Sequence, residues 1–204
     1  MARIDDYVAA KKLAVEKLAS EPLETITGRG GFEMTEENGF SVPFLGKTYR
    51  VSYPAFDFIT QEEPSQETPI QEQVLILHYL TASGGSPSGN WVAYREIPGA
   101  TFYFSAFVKR AVDPLKKAFG ADASLLEAPA KMLGGTPVDA GDVGFEFRLF
   151  PKVPIQLILW EGDEEFPAEA NILFDDSIGD LLSPEDIAWL AGMLVYRLMG
   201  LARG

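Results

Sequence analysis

The densest group of reactive side chains in this sequence is a run of carboxylates near the C-terminal end. Between Glu161 and Asp186 there are ten acidic residues and no Lys or Arg, a third of the 30 acidic residues of the chain. The ten are Glu161, Asp163, Glu164, Glu165, Glu169, Asp175, Asp176, Asp180, Glu185 and Asp186. Grouped carboxylates can bind hard cations such as Mg²⁺ and Ca²⁺, or act as a general acid and base.

The spacing of these acids matches no calcium-binding loop, because Asp180 stands where an EF-hand requires glycine. Three interpretations stay open: an acidic rim exposed to solvent, a site for a cation or a basic partner, and a catalytic site. Within this stretch we select Asp163, Glu165 and Asp175 as candidate ligand-binding residues.

A second group combines aromatic side chains with an arginine. Trp91, Tyr94, Arg95 and Tyr103 surround a Pro-Gly pair that precedes a predicted helix. Aromatic rings beside an Arg can form a pocket that stacks on or clamps an anionic ligand. In the alternative interpretation the rings pack into the core and Arg95 pairs with one of the many acids. We include all four residues among the ligand-binding candidates.

His78, the only histidine, completes the candidate list as a general base or a ligand contact, although it lies in an apolar helical run and could be structural. No catalytic motif is complete. A P-loop would need glycine at Ser41, and a nucleophile elbow would need serine at Pro87. We therefore predict no catalytic residues, no metal ligands and no cofactor.

The composition limits the classes of partner and the compartment. The chain has 204 residues, 47% of them hydrophobic, with no cysteine and a net charge of −13. A net charge of this sign repels nucleic acid and anionic membranes, so we expect neither as a partner. No apolar run reaches roughly 18 residues, and the first residues do not resemble a signal peptide. We expect a cytoplasmic protein.

The hydrophobic pattern predicts an α+β fold made of one domain over residues 1–204, with a mostly antiparallel sheet packed by N-terminal, central and C-terminal helices. Helical spacing indicates helices over 4–20, 70–82, 101–119, 125–133 and 184–201, with a kink at Pro114. Alternation and β-branched or aromatic residues indicate strands at 32–34, 40–45, 49–53, 91–94, 145–149, 155–160 and 171–174.

Several segments resemble the domain-of-unknown-function family 3786 from about residue 40 onward. The resemblance is carried by His78-Tyr79-Leu80, by 89–99, by Phe102-Tyr103, and by the later segments 151–154, 160–168, 172–175 and 182–186. It implies a prokaryotic protein, typical of anaerobes, some of whose relatives carry an added four-cysteine iron–sulfur segment. This chain has no cysteine, so that segment and its cluster are not carried over. The resemblance supplies no catalytic residues.

Taken together, the missing catalytic pattern and the two polar groups favour a non-catalytic accessory module that binds a small molecule or a protein. The alternative is an enzyme that uses the carboxylates of the acidic stretch, with or without Mg²⁺. Neither the ligand nor the oligomeric state follows from the sequence.

Overall fold

The computed structural model describes residues 4–61, 65–82 and 84–203. The chain has an α+β fold and divides after Gly85 into two compact units. Each unit contains its own antiparallel sheet, in the orders β1-β2-β3-β4 and β5-β9-β8-β7-β6. The α+β class and the antiparallel pairing predicted from the sequence are confirmed, but the strands form two sheets where we expected one.

The first unit combines three helices with the first four strands. The helices are α1 (Ile4–Leu18), α2 (Leu23–Gly30) and α3 (Ile70–Thr81), and the strands are β1 (Glu33–Thr35), β2 (Gly39–Phe44), β3 (Lys47–Ser52) and β4 (Phe58–Thr60). Helices α1 and α2 both pack against α3. The sequence analysis did not predict α2, because Gly28, Gly30 and Gly31 interrupt the helical pattern there. Gly31 instead ends the helix in the left-handed conformation, with a φ of 75°.

The β2–β3 hairpin turns at Leu45 and Gly46, which both have positive φ, at 50° and 74°. Positive φ at both central residues matches the right-handed twist of the flanking strands. The pairing of β2 with β1 ends at Ser41, so Pro43 lies in a part of β2 that has β3 as its only neighbour. Proline suits this position, since it has no N–H to donate to a second strand.

The second unit contains the remaining elements. The strands are β5 (Trp91–Ala93), β6 (Thr136–Pro137), β7 (Val143–Phe150), β8 (Val153–Trp160) and β9 (Glu169–Asp175). The α-helices are α4 (Phe104–Phe107), α5 (Asp113–Phe119), α6 (Glu127–Met132) and α7 (Pro184–Leu201). Short 3₁₀ turns at Tyr94–Glu96, Ala100–Tyr103, Ala123–Leu126 and Asp176–Asp180 connect them.

Helices α4 and α5 are joined by one π-helical turn, Val108–Val112, so residues 104–119 form one irregular helix. Pro114 has no N–H for the carbonyl of Arg110, and this is the position where the sequence predicted a kink. Helix α7 packs against this turn, and a methyl group at Gly192 would lie 3.2 Å from the Arg110 carbonyl oxygen. Within the described residues, no helix is both long and apolar enough to cross a membrane.

Candidate functional site

The structure places Tyr94 inside the second unit, where it links the 3₁₀ turn after β5 to the first turn of α7. Its ring stacks on Phe107 at 4.2 Å between centroids with an interplanar angle of 5°. Its hydroxyl donates a hydrogen bond of 2.7 Å to the carbonyl oxygen of Pro184. Only 1% of Tyr94 is exposed, and this burial raises the pKa of the phenol to about 12. Tyr94 therefore stabilises the core and does not face a ligand.

Arg95 points the opposite way, onto the surface. Its guanidinium carbon lies 3.7 Å from the centre of the Phe104 ring, a cation–π contact between neighbouring parts of the same segment. The Phe104 ring is in turn 6.4 Å from the ring of Tyr94. Among the described residues Arg95 forms no salt bridge, so the alternative in which it pairs with an acid is replaced by a contact with an aromatic face.

Phe102 and Tyr103 form the most exposed aromatic pair of this unit. Their rings are 5.0 Å apart at an interplanar angle of 78°, and 84% of Phe102 is accessible to solvent. The negative charge of Glu185 is the main cause that raises the pKa of Tyr103, and partial burial and the charge of Asp186 act in the same direction. We call the group of Phe102, Tyr103 and Glu185 the aromatic corner.

The backbone around the aromatic corner is fixed by packing on both sides. Ile97 and Ala100 are buried, and Gly99 adopts a φ of 79°, which is unfavourable for residues with a Cβ. A methyl group at Gly99 would lie 3.6 Å from the Pro184 ring, so the turn contacts the start of α7 directly. Helix α7 begins there because the Ser183 hydroxyl accepts a hydrogen bond from the backbone amide of Asp186.

Trp91 and Asp175 face each other as a pair between β5 and β9. The Asp175 carboxylate is 1% exposed and accepts hydrogen bonds from the amides of Ser88, Gly89 and Ser177 and from the Ser177 hydroxyl. Burial alone would raise the pKa of Asp175, but the hydrogen bonds from Ser177, Ser88 and Gly89 outweigh it and lower the pKa. Asp175 thus fixes the loop before β5 against the end of β9, and Trp91 is half-buried beside it.

Asp163 and Glu165 lie together in one exposed turn between β8 and β9. The amides of Glu165 and Phe166 both donate to one carboxylate oxygen of Asp163, at 2.8 and 2.7 Å. These two hydrogen bonds lower the pKa of Asp163. The Glu165 side chain is exposed, and so is Phe166, 68% of which is accessible to solvent. Asp163 is therefore a turn-forming residue.

Other acids of the 161–186 stretch also stabilise backbone. Glu161 accepts a hydrogen bond of 2.7 Å from the amide of Ala123, and Asp186 accepts one of 2.7 Å from the Ser183 hydroxyl. Within residues 4–61, 65–82 and 84–203, no group of three or more acidic or histidine side chains is arranged to hold a metal ion. Within the acidic stretch, Glu161, Asp163, Asp175 and Asp186 thus stabilise turns and helix starts.

The predicted candidates therefore separate into four places. Tyr94, Arg95 and Tyr103 belong to one continuous segment, Trp91 and Asp175 share a strand pair, and Asp163 and Glu165 share a turn. His78 lies in α3 of the first unit, where it is half-buried and has partners of its own.

Sequence reasoning did not select Phe102 or Glu185, although both belong to the aromatic corner. The spacing of apolar residues in the predicted helix over 101–119 could have identified Phe102. The buried residues of the 104–119 helix include Phe107, Ala111 and Leu115, and Phe102 is offset from this stripe by roughly 140°. An apolar residue on the polar side of a helix start was thus visible in the sequence. Glu185 was counted in the acidic stretch but was not selected from it as a candidate.

The comparisons with known proteins agree with the resemblance found in the sequence. The chain matches the family model described as a domain of unknown function (DUF3786) over residues 22–197. The match begins earlier than residue 40, so it includes α2, β1 and the start of β2. No curated protein and no solved structure matches the chain. Because the family model covers most of its length, the chain belongs to the DUF3786 family.

Proposed function

We propose that this protein is a non-catalytic accessory module that binds a partner protein through the aromatic corner. The observation that carries the proposal is the exposure of Phe102, 84% of which is accessible although it lies beside Tyr103 on a well-packed segment. Single exposed apolar residues are common, but an aromatic pair on a fixed backbone is the type of surface that dominates binding energy in protein interfaces.

The rigidity of the segment favours this function. Tyr94 anchors one end of the segment in the core, and the contact between Gly99 and Pro184 holds its middle against α7. A side chain presented by an already ordered backbone loses little conformational entropy on binding, so more of the interaction energy contributes to affinity. Phe102 is therefore positioned for binding before a partner arrives.

The same contacts favour a protein partner over the small-molecule pocket considered from the sequence. That pocket required Trp91, Tyr94, Arg95 and Tyr103 to converge on one ligand. Tyr94 is instead in the core, and Arg95 covers a ring of its own segment. The carboxylate enzyme receives less support, because Asp163 and Asp175 accept hydrogen bonds that shape their own loops. On composition, we place the module in the cytoplasm.

The test compares two exposed phenylalanines of the same unit. The full chain, the Phe102→Ala variant and the Phe166→Ala variant are immobilised and exposed to a native extract, and the retained proteins are identified and purified. We then expect isothermal titration to show that a retained partner binds Phe102→Ala about tenfold or more weakly than wild type. Phe166→Ala, which removes a ring from the distant acidic turn, serves as the matched control and retains affinity.

Two outcomes contradict the proposal. One is a purified partner that binds Phe102→Ala as tightly as wild type. The other is that the wild type retains no protein from the native extract, or only proteins that Phe102→Ala also retains. Circular dichroism of both variants confirms folding, and because both rings are exposed we expect unchanged spectra.

A further inference from the structure

The geometry of the aromatic corner points to a more specific ligand class: we infer that it binds a cationic side chain, Lys or Arg, of the partner protein. This inference rests on the proposed function, since it names what the partner presents to Phe102, Tyr103 and Glu185. The two rings meet at 78° with their centroids 5.0 Å apart. In this edge-to-face pair the edge of one ring lies against the other ring, and the largely exposed Phe102 offers an open face to a ligand. Aromatic faces attract cations.

The charge at the corner has the sign that a cation requires. Glu185 is exposed at the start of α7, and its charge is strong enough at the Tyr103 hydroxyl to raise the pKa of that phenol. In the described part of the chain, Glu185 forms no salt bridge. Helix α7 packs against the Ala100–Tyr103 turn, so this exposed carboxylate lies near the aromatic pair. A carboxylate and an exposed aromatic face together supply both electrostatic contacts that recognise an ammonium or guanidinium group.

The neighbouring Phe104 ring already has a cation over its face. Arg95 covers Phe104 at 3.7 Å, whereas no cation of the described residues lies over Phe102 or Tyr103. Arg95 contributes a positive charge nearby, but the charges that act on the Tyr103 hydroxyl are those of Glu185 and Asp186, and both raise its pKa. The corner is thus a cation–π site whose cation must come from another molecule.

The net charge of −13 also favours a cationic partner, over longer distances. A strongly acidic protein attracts basic partners before contact and accelerates their association, an effect that salt weakens. The long-range field brings a basic partner to the surface, and the corner gives one of its cationic side chains a defined position.

The test is a heteronuclear NMR titration of the full chain with four blocked tripeptides, Gly-X-Gly, in which X is Arg, Lys, norleucine or Glu. We expect the Arg and Lys peptides to shift the amide signals of Phe102, Tyr103 and Glu185. They should bind about two- to fivefold more tightly than the norleucine peptide, the range for an exposed cation–π contact. The Glu peptide should leave these signals unchanged.

Two variants with matched controls locate the effect. Glu185→Gln should weaken binding of the Arg and Lys peptides about two- to fivefold, as expected for an exposed ion pair. Binding of the norleucine peptide should not change. Phe102→Ala should remove the binding shifts. The controls are Glu169→Gln and Phe166→Ala, which alter an exposed acid and an exposed ring outside the corner.

The results separate failure of this inference from failure of the proposed function. If the norleucine peptide binds as tightly as the Arg peptide, if Glu185→Gln has no effect, or if no peptide shifts the corner signals, the cation inference is wrong. The Phe102-dependent partner of the preceding experiment would then still support the proposed function. If Phe102→Ala retains the partner, the proposed function fails and this inference fails with it.

Discussion

Replacing Asp175 by Asn tests the claim that this carboxylate is structural. One carboxylate oxygen accepts from the Ser88 amide and from the amide and hydroxyl of Ser177, and the other accepts from the Gly89 amide at 2.7 Å. Asn retains one oxygen for the first three donors, but its NH₂ group then faces the Gly89 N–H. Two donors meet, one charge-assisted hydrogen bond is lost, and a buried amide is left without an acceptor.

The expected cost follows from these contacts. Losing a hydrogen bond to a buried charged group and leaving its donor unsatisfied lowers the free energy of unfolding by about 2–4 kcal/mol. For a chain of this length, that corresponds to a decrease in melting temperature of roughly 5–15 °C. Thermal and urea unfolding followed by circular dichroism at neutral pH measure both quantities.

The control is Asp163→Asn, in the exposed turn before β9. Both amides that bind Asp163 donate to the same carboxylate oxygen, so the Asn side chain keeps both hydrogen bonds and its NH₂ group faces solvent. We expect little change in stability. If Asp175→Asn were as stable as the wild type, or if the two variants lost the same stability, the structural role assigned to Asp175 would be refuted.

The pH dependence gives an independent check of the Asp175 role. The hydrogen bonds lower the pKa of Asp175 in the folded state relative to the unfolded chain. A lowered folded-state pKa contributes stability that is complete above the unfolded value of about 3.9 and is lost as the pH falls through the folded value. The stability difference between wild type and Asp175→Asn should therefore be constant near neutral pH and decrease below about pH 4. A difference that grows in acid would contradict the assignment.

Two further variants test the scaffold around the candidate site. Tyr94→Phe removes the hydrogen bond to the Pro184 carbonyl while keeping the ring stack on Phe107. We expect the free energy of unfolding in urea to decrease by about 0.5–1.5 kcal/mol. No decrease would show that this bond does not hold α7. Gly120→Ala places a methyl group 2.5 Å from the Ala168 Cβ, so the free energy of unfolding should decrease by about 1–3 kcal/mol. An unchanged melting temperature would contradict the close packing of α5 on the acidic loop.

Much of the second unit was predictable from the sequence, because its elements have strong local signals. The alternation over 145–149 corresponds to β7, and Ser183-Pro184 defines the start of α7 as predicted. Strand β6 was missed, since two residues are too few to show a period. Strand β4 of the first unit was missed because the prolines and polar residues of 57–69 indicated a loop. The division into two sheets was missed for a different reason: strand pairing is a non-local property that residue patterns do not specify. The prediction of one domain over 1–204 stays a prediction.

The candidate site was harder to predict than the fold, because residue types do not show whether a polar group is already satisfied. The sequence favours a binding role equally for Tyr94, Arg95 and Tyr103. In the structure one is a core residue, one covers a ring, and one is half-exposed. Asp175 illustrates the same limit, since its backbone donors at Ser88 and Gly89 come from a distant loop.

The aromatic corner joins two segments that carry the resemblance to the DUF3786 family but lie far apart in the chain. Phe102-Tyr103 precedes α4, and Glu185 follows the Ser-Pro start of α7. Tyr94 connects them, since its hydroxyl donates a hydrogen bond to the carbonyl of Pro184, the residue before Glu185. If this link sets the charge at the corner, Tyr94→Phe should weaken binding of the Arg tripeptide as well as lower stability, although Tyr94 never touches the ligand. A variant that loses stability but binds the Arg peptide as wild type does would show that the corner is positioned by its own packing alone.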